Sequence, residues 1–195
     1  MESYSQLSVF LVIITSAGLL LLRNWRLCVL ALTLQYVGVF VLIGLSWSFE
    51  MAVVKLLTGW VSTAVLGLSM ATLFQREQTQ AQWGNVTLVR LFLLGLVLMV
   101  VYSFTPQFLS WEVGIYPQQA YGGFFLIAVS TLQICLTNNP FRLLLGLLSF
   151  LSATEVLYSA VEGSVLVAAL FVVMHLSLAL AGAYLITGNN LEESR

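Results

Sequence analysis

Charge is scarce in this sequence. Only 8% of its 195 residues are charged, aspartate does not occur, and the basic set is one lysine and six arginines. A net charge of −1 leaves no basic surface for a nucleic acid. Cysteine is limited to Cys28 and Cys135, each isolated in an apolar run. That excludes a disulfide framework and predicts two small buried core residues. Histidine occurs once, as His175, and proline three times. No glycine-rich phosphate loop, His/Cys ligand spacing, Ser/His/Asp set or basic-aromatic groove is present, so no active site, cofactor site or metal site is expected.

What fills the sequence is hydrocarbon. It is 60% hydrophobic with a mean hydropathy of +1.00, the composition of an integral membrane protein. Seven apolar runs meet or approach the 17–25 residues that cross a hydrocarbon layer of about 30 Å. They cover 7–22, 27–49, 51–74, 87–104, 120–136, 141–160 and 164–187. None alternates as a strand would, so the expected fold is all-α. The first run lacks a basic n-region and continues too long for a signal peptide, which makes it a retained span.

The connections carry, in order, Arg23 and Arg26, Glu50, Arg76, Glu112, Arg142 and Glu162, and the tail ends at Arg195. Basic and acidic ends therefore alternate, which predicts seven crossings with the N-terminus outside and the C-terminus in the cytoplasm. The break between the second and third runs, "SWSFE", must be a tight turn. Residues 75–85 form an expected cytoplasmic loop, and residues 105–119, bracketed by Pro106 and Pro117, an external one. Trp47, Trp83 and Trp111 fall near interfaces and are expected to anchor there. No internal repeat is evident. The chain divides into a four-helix segment (1–104), the external loop (105–119), a three-helix unit (120–188) and a cytoplasmic tail (189–195).

Four ionisable residues fall inside the expected spans: Lys55, Arg90, Glu155 and His175. A charge at the bilayer centre costs about 2.5–3.5 kcal/mol even on lenient insertion scales, so each needs a route to water or a partner. Arg90 is close enough to its cytoplasmic helix end to snorkel. Lys55, about one and a half turns below the external end, either snorkels or, held partly desolvated, exchanges a proton. Glu155 lies about 20 Å along its helix from Arg142, at 1.5 Å per residue, too deep for a carboxylate to reach water. It is either a structural glutamate hydrogen-bonded to neighbours such as Ser152 and Thr154, or a proton carrier. His175 lies slightly past the midplane on the cytoplasmic side, as an interhelical hydrogen-bonder or a second carrier. The last two helices are antiparallel neighbours, so Glu155 and His175 are expected on one interface at different heights. Staggered groups of this kind, linked by water, suit a proton relay, and they suit a structural hydrogen bond equally.

The last three runs resemble the K subunit of bacterial complex I and the C component of multisubunit sodium/proton antiporters. The residues that carry this resemblance are "NNPFR" (138–142), "LLLGLL" (143–148), "EGS" (162–164) and "HLSLALAGAYLI" (175–186). With four helices in front, and a third span reading "EMAVVKLLTGWVSTAVLGLSMA", the layout is similar to component E of formate-hydrogenlyase-type membrane hydrogenases. The resembled K subunits carry a glutamate in each of the last two helices. Alignment places Leu148 at the first of these positions, with Glu155 two turns later, and His175 at the second.

This resemblance implies a membrane-arm subunit of a complex-I-related assembly: a membrane hydrogenase, an NAD(P)H dehydrogenase-like complex or a multisubunit cation/proton antiporter. Its implied partners are antiporter-like membrane subunits and the lipid bilayer, in an inner or other energy-transducing membrane. Any oxidoreductase label would belong to the complex. The expected proton path is Glu155, His175 and Lys55. Two alternatives are a purely structural membrane subunit and a stand-alone small transporter, the latter disfavoured because no expected span contains a proline to break its helix.

Overall fold

The computed structural model describes residues 2–22, 24–73, 85–111 and 114–192. Apart from Asn85, the expected loop 75–85 lies outside the described residues, as do Arg23, Arg76, Trp83, Glu112 and Arg195. The described residues form seven α-helices and no strand: α1 (Glu2–Leu21), α2 (Trp25–Ile43), α3 (Phe49–Leu73), α4 (Asn85–Trp111), α5 (Pro117–Cys135), α6 (Pro140–Val161) and α7 (Val165–Glu192). Within them, Trp25–Ile43, Phe49–Ala71, Thr87–Trp111, Pro140–Val161 and Val165–Gly188 are long and apolar enough to cross a membrane, and Gln6–Leu21 is a shorter apolar helix. Leucine, valine and phenylalanine on every face of a helix have no aqueous solution, and a bilayer satisfies them while the backbone bonds itself.

The helices lie as two rows of three. In each row successive helices pack together (α1·α2·α3 and α5·α6·α7), and each helix also packs against its counterpart, α1 on α5, α2 on α6 and α3 on α7. Helix α4 stands outside, mainly against α5, and exposes Leu88, Phe92, Met99 and Tyr102. At one end of the bundle Arg90 donates to Leu20 O at 3.1 Å and Arg142 donates to Leu22 O. Both guanidinium groups thus meet carbonyls that the C-terminus of α1 leaves unpaired, where the helix dipole favours a cation. Arg90, expected to snorkel, reaches the end of α1. At the other end Ser46 donates to Gln119 Oε1 at 2.9 Å, Gln119 Nε2 donates to Leu42 O at 2.8 Å, and Trp47 Nε1 donates to Glu162 O at 3.0 Å.

These bonds explain where α2 stops. Its expected extension to residue 49 is wrong: the helix ends at Ile43, and residues 44–48 form a turn whose polar groups are taken up by α5 and by the turn between α6 and α7. Trp47 is correspondingly buried at 6% exposure and clamps two turns together, where an interfacial anchor was expected. Trp111, the last residue of α4, is 85% exposed.

The expected external loop 105–119 is largely helical. Helix α4 runs through Pro106 to Trp111, and α5 begins at Pro117, where the ring costs no hydrogen bond. Pro106 removes the donor to Tyr102 O, yet the helix continues, and Phe104 and Phe108 on either side of the proline both pack edge-on against Phe124 of α5. One apolar helix of the bundle therefore does contain a proline, contrary to expectation. Cys28 is buried as expected, whereas Cys135 at the end of α5 is exposed.

The interior has three apolar clusters. One gathers Leu19, Leu32, Leu66, Leu145 and Leu148 towards the arginine-bearing end, and a second gathers Val12, Val39, Leu42, Ala52 and Val156 towards the other. A third joins α1, α4 and α5 through Leu20, Leu94 and Phe125. The polar residues described next lie where the first two clusters meet.

Candidate functional site

Helix α3 places Ala52, Lys55, Gly59, Ser62 and Leu66 at spacings of three and four residues, one inward stripe, and all five are buried. Helix α6 does the same with Ser149, Ser152, Glu155 and Ser159, and α7 with His175, Ala179, Gly182 and Ile186. The three stripes converge. Lys55 Nζ forms an ion pair with Glu155 Oε2 and lies 2.8 Å from His175 Nε2. Exposure is 2% for Lys55, 1% for Glu155 and 0% for His175. The only lysine of the chain thus joins its only histidine, 120 residues away, to the one buried carboxylate described.

Lys55 does not snorkel to either end. Its position on the stripe that faces α7 directs the side chain into the bundle, where Glu155 supplies the counter-charge that lipid cannot. One ammonium reaches both Glu155 and His175, and the imidazole also lies beside Ser152, one turn before Glu155 on α6. Thr154 does not serve Glu155; its hydroxyl turns back to Leu151 O at 2.8 Å.

The hydrogen bonds define the imidazole tautomer. His175 Nδ1 lies 2.9 Å from Phe171 O, one turn earlier, and a carbonyl can only accept, so Nδ1 carries the proton. Nε2 is then unprotonated, with Ser152 Oγ 3.2 Å away, and the ammonium lies beside both ring nitrogens, 2.8 Å from Nε2 and 3.2 Å from Nδ1. The Ser152 hydroxyl also reaches Leu148 O at 3.0 Å, and having one hydrogen it chooses between the carbonyl and the imidazole. The Lys55 ammonium is held by a carboxylate, an imidazole and, at 5.7 Å from the ring centroid, the face of Tyr36. Tyr36 itself meets the His175 ring edge-on with centroids 6.2 Å apart.

Tyr36 was not expected at the site. It belongs to α2 and is 1% exposed. It comes so close because Gly59 has no side chain: a Cβ there would fall on the tyrosine ring. In the sequence, Gln35 and Tyr36 are adjacent polar residues at the middle of an apolar run, and that was the available signal.

Chemically, the cluster brings proton donors and acceptors together. A carboxylate, an ammonium, a neutral imidazole and a hydroxyl lie in one contiguous network, and each hydrogen bond in it can carry a proton from one heavy atom to the next. Compared with family models, with curated proteins and with solved structures, the chain matches none of them.

Proposed function

We propose that the chain is a membrane-arm subunit of a complex-I-related assembly, and that Lys55, Glu155 and His175 form a proton-carrying station in it. The observation that carries this reading is the burial of three ionisable groups in direct contact inside an apolar bundle. Intramembrane charges are expensive, and ion and proton pathways are where membrane proteins keep them. Of the ions such an assembly could move, the proton suits the station best. The ammonium already neutralises the carboxylate, so a sodium ion would have to displace it, whereas a proton passes by exchanging positions along bonds that exist.

In this reading the bundle crosses the bilayer seven times, α1 and α5 included, with the arginine-bearing end in the cytoplasm. Arg26, Arg90 and Arg142 fall at that end, and Glu50 and Glu162 at the other. The chain contributes no active site of its own, and electron transfer belongs to other subunits. The outward apolar faces of α4 and α7 meet lipid or antiporter-like neighbours.

A structural subunit is the second reading, and one observation favours it: the ammonium, the carboxylate and the imidazole satisfy one another, which is also what a strut between α3, α6 and α7 requires. Proton uptake into vesicles holding the assembled complex separates the two. Glu155→Gln and His175→Ala are expected to abolish or strongly reduce pumping while the complex still assembles. Normal pumping in both variants would overturn the proton station and leave the strut.

A further inference from the structure

The stripe of α6 that bears Glu155 continues towards the arginine-bearing end with Ser152 and then Ser149, about 4.5 Å further along the axis. Ser149 Oγ donates to Gln35 Oε1 of α2 at 3.4 Å. Gln35 is 1% exposed, and its Nε2, with two hydrogens to donate, has no partner among the described residues. Ser62 of α3 is fully buried, and its hydroxyl is also unpartnered. The two lie at adjacent heights. Gly59 packs against Tyr36, next to Gln35, and Ser62 is one turn beyond Gly59 on the same inward stripe, again towards the arginine-bearing end.

Each buried donor left unbonded costs about 1–3 kcal/mol, and a pair of them one turn from an ion pair is a costly way to fill a core. Leucine at position 35 would pack without that cost. A water molecule answers both groups, since a buried water is held by two to four polar partners. Gln35 Nε2 and the hydroxyls of Ser62 and Ser149 supply them. Towards the other end no such set exists among the described residues: Val39, Leu42, Ala52, Ala153 and Val156 close that side with hydrocarbon, and Ser159 is turned back onto Val156 O at 2.8 Å.

We propose that Gln35, Ser62 and Ser149 hold a buried water beside the Lys55–Glu155–His175 cluster, on its arginine-bearing side only. This water passes protons between that side and Ser152, which hands them to His175 Nε2. The relay role rests on the proton-station reading above, whereas the water site does not. The proton balance is simple: the water accepts one proton from its outer face and releases another through Ser152, and no bond other than O–H and N–H is made or broken. Gln35 is a positioning residue in this scheme, because it holds the water and never carries the charge.

Two experiments test the two parts. In the first, hydroxyl radicals generated in place from ¹⁸O-water by X-ray pulses label side chains that touch bound water. Tyr36 and Phe125, both 1% exposed, provide a matched pair. Tyr36 is expected to be labelled at least fivefold faster than Phe125 in the intact protein, and Gln35→Leu should remove the difference. Equal labelling of the two rings in the unmodified protein would overturn the water site, whatever the function. In the second, Gln35→Leu in the assembled complex is expected to lower the proton-pumping rate about tenfold, with restoration by Gln35→Asn, a shorter amide that still donates. If Gln35→Leu pumps normally while Glu155→Gln does not, the relay fails and the station stands. If Glu155→Gln also pumps normally, both fail as conduction elements, and the labelling result alone decides the water site.

Discussion

Breaking the ion pair from one side and then from both gives the most demanding test of the site. Lys55→Met leaves Glu155 buried without its counter-ion, and Glu155→Leu leaves the ammonium with only His175 and the Tyr36 ring. Removing one partner of a buried pair costs about 3–5 kcal/mol, because the other charge is stranded away from water. For a chain of this size about 1 kcal/mol shifts the melting temperature by about 2–4 °C, so each single variant should melt roughly 6–20 °C below the parent. The double variant strands nothing. Replacing a whole buried pair by apolar groups of similar volume is commonly neutral or stabilising, so Lys55→Met/Glu155→Leu should recover to within about 2 kcal/mol of the parent. His175→Ala removes one acceptor but keeps the ion pair, and its cost of about 1–3 kcal/mol should be the smallest of the three single changes. Tryptophan fluorescence of the purified protein in detergent during heating reads all four variants. Additive losses in the double variant would refute the reasoning, since uncoupled residues add and members of one pair do not. Single variants that melt with the parent would refute it as well.

Packing, capping and orientation supply three further tests. Gly59→Ala places a methyl group against the Tyr36 ring and should cost about 1–3 kcal/mol from overpacking, while Gly95→Ala, with nothing within 4 Å of its added carbon, should leave the melting temperature unchanged or slightly raised. Asn139, whose side chain accepts from Phe141 N at 2.9 Å, caps α6, and Asn139→Ala should lower stability by about 0.5–2 kcal/mol in the same melting assay. A membrane-impermeant maleimide should label the exposed Cys135 in inside-out vesicles and not in right-side-out cells, with the buried Cys28 silent in both; labelling of Cys135 from outside would reverse the proposed orientation.

The helices were legible because lipid demands long apolar runs, and their ends were legible where proline or asparagine marks them, as at Pro117 and Asn139. Pro106 misled the same logic: a proline reads as a helix end, yet the phenylalanines on either side of it hold α4 onto α5. Lys55, Glu155 and His175 each stood out singly because charge in hydrocarbon is conspicuous. That the three touch was not legible. The contact between α3 and α7 joins residues 120 positions apart, and no local pattern encodes which helix of one row lies on which helix of the other. The inward direction of Lys55 could have been read, since Ala52, Gly59, Ser62 and Leu66 share its stripe. Tyr36 could not, because its place depends on the missing side chain of Gly59 on another helix.

How the chain uses its basic residues bears on whether the site conducts. At the ends it uses arginine: Arg90 and Arg142 bond the carbonyls that close α1, a task suited to a guanidinium, which keeps its proton. In the interior it uses its one lysine, whose compact ammonium can give a proton up when desolvated. A strut would gain nothing from this difference, because a guanidinium bonds a carboxylate more firmly than an ammonium does. A station that passes protons depends on it. Lys55→Arg therefore separates the two readings at a single atom group. The ion pair to Glu155 should persist, with a penalty of about 1–3 kcal/mol for the added bulk, so the complex should assemble. Pumping should nevertheless fall to the level of Glu155→Gln, because the cation can no longer release its proton. Assembly with undiminished pumping would mean that Lys55 holds its proton throughout the cycle and acts only as a fixed charge.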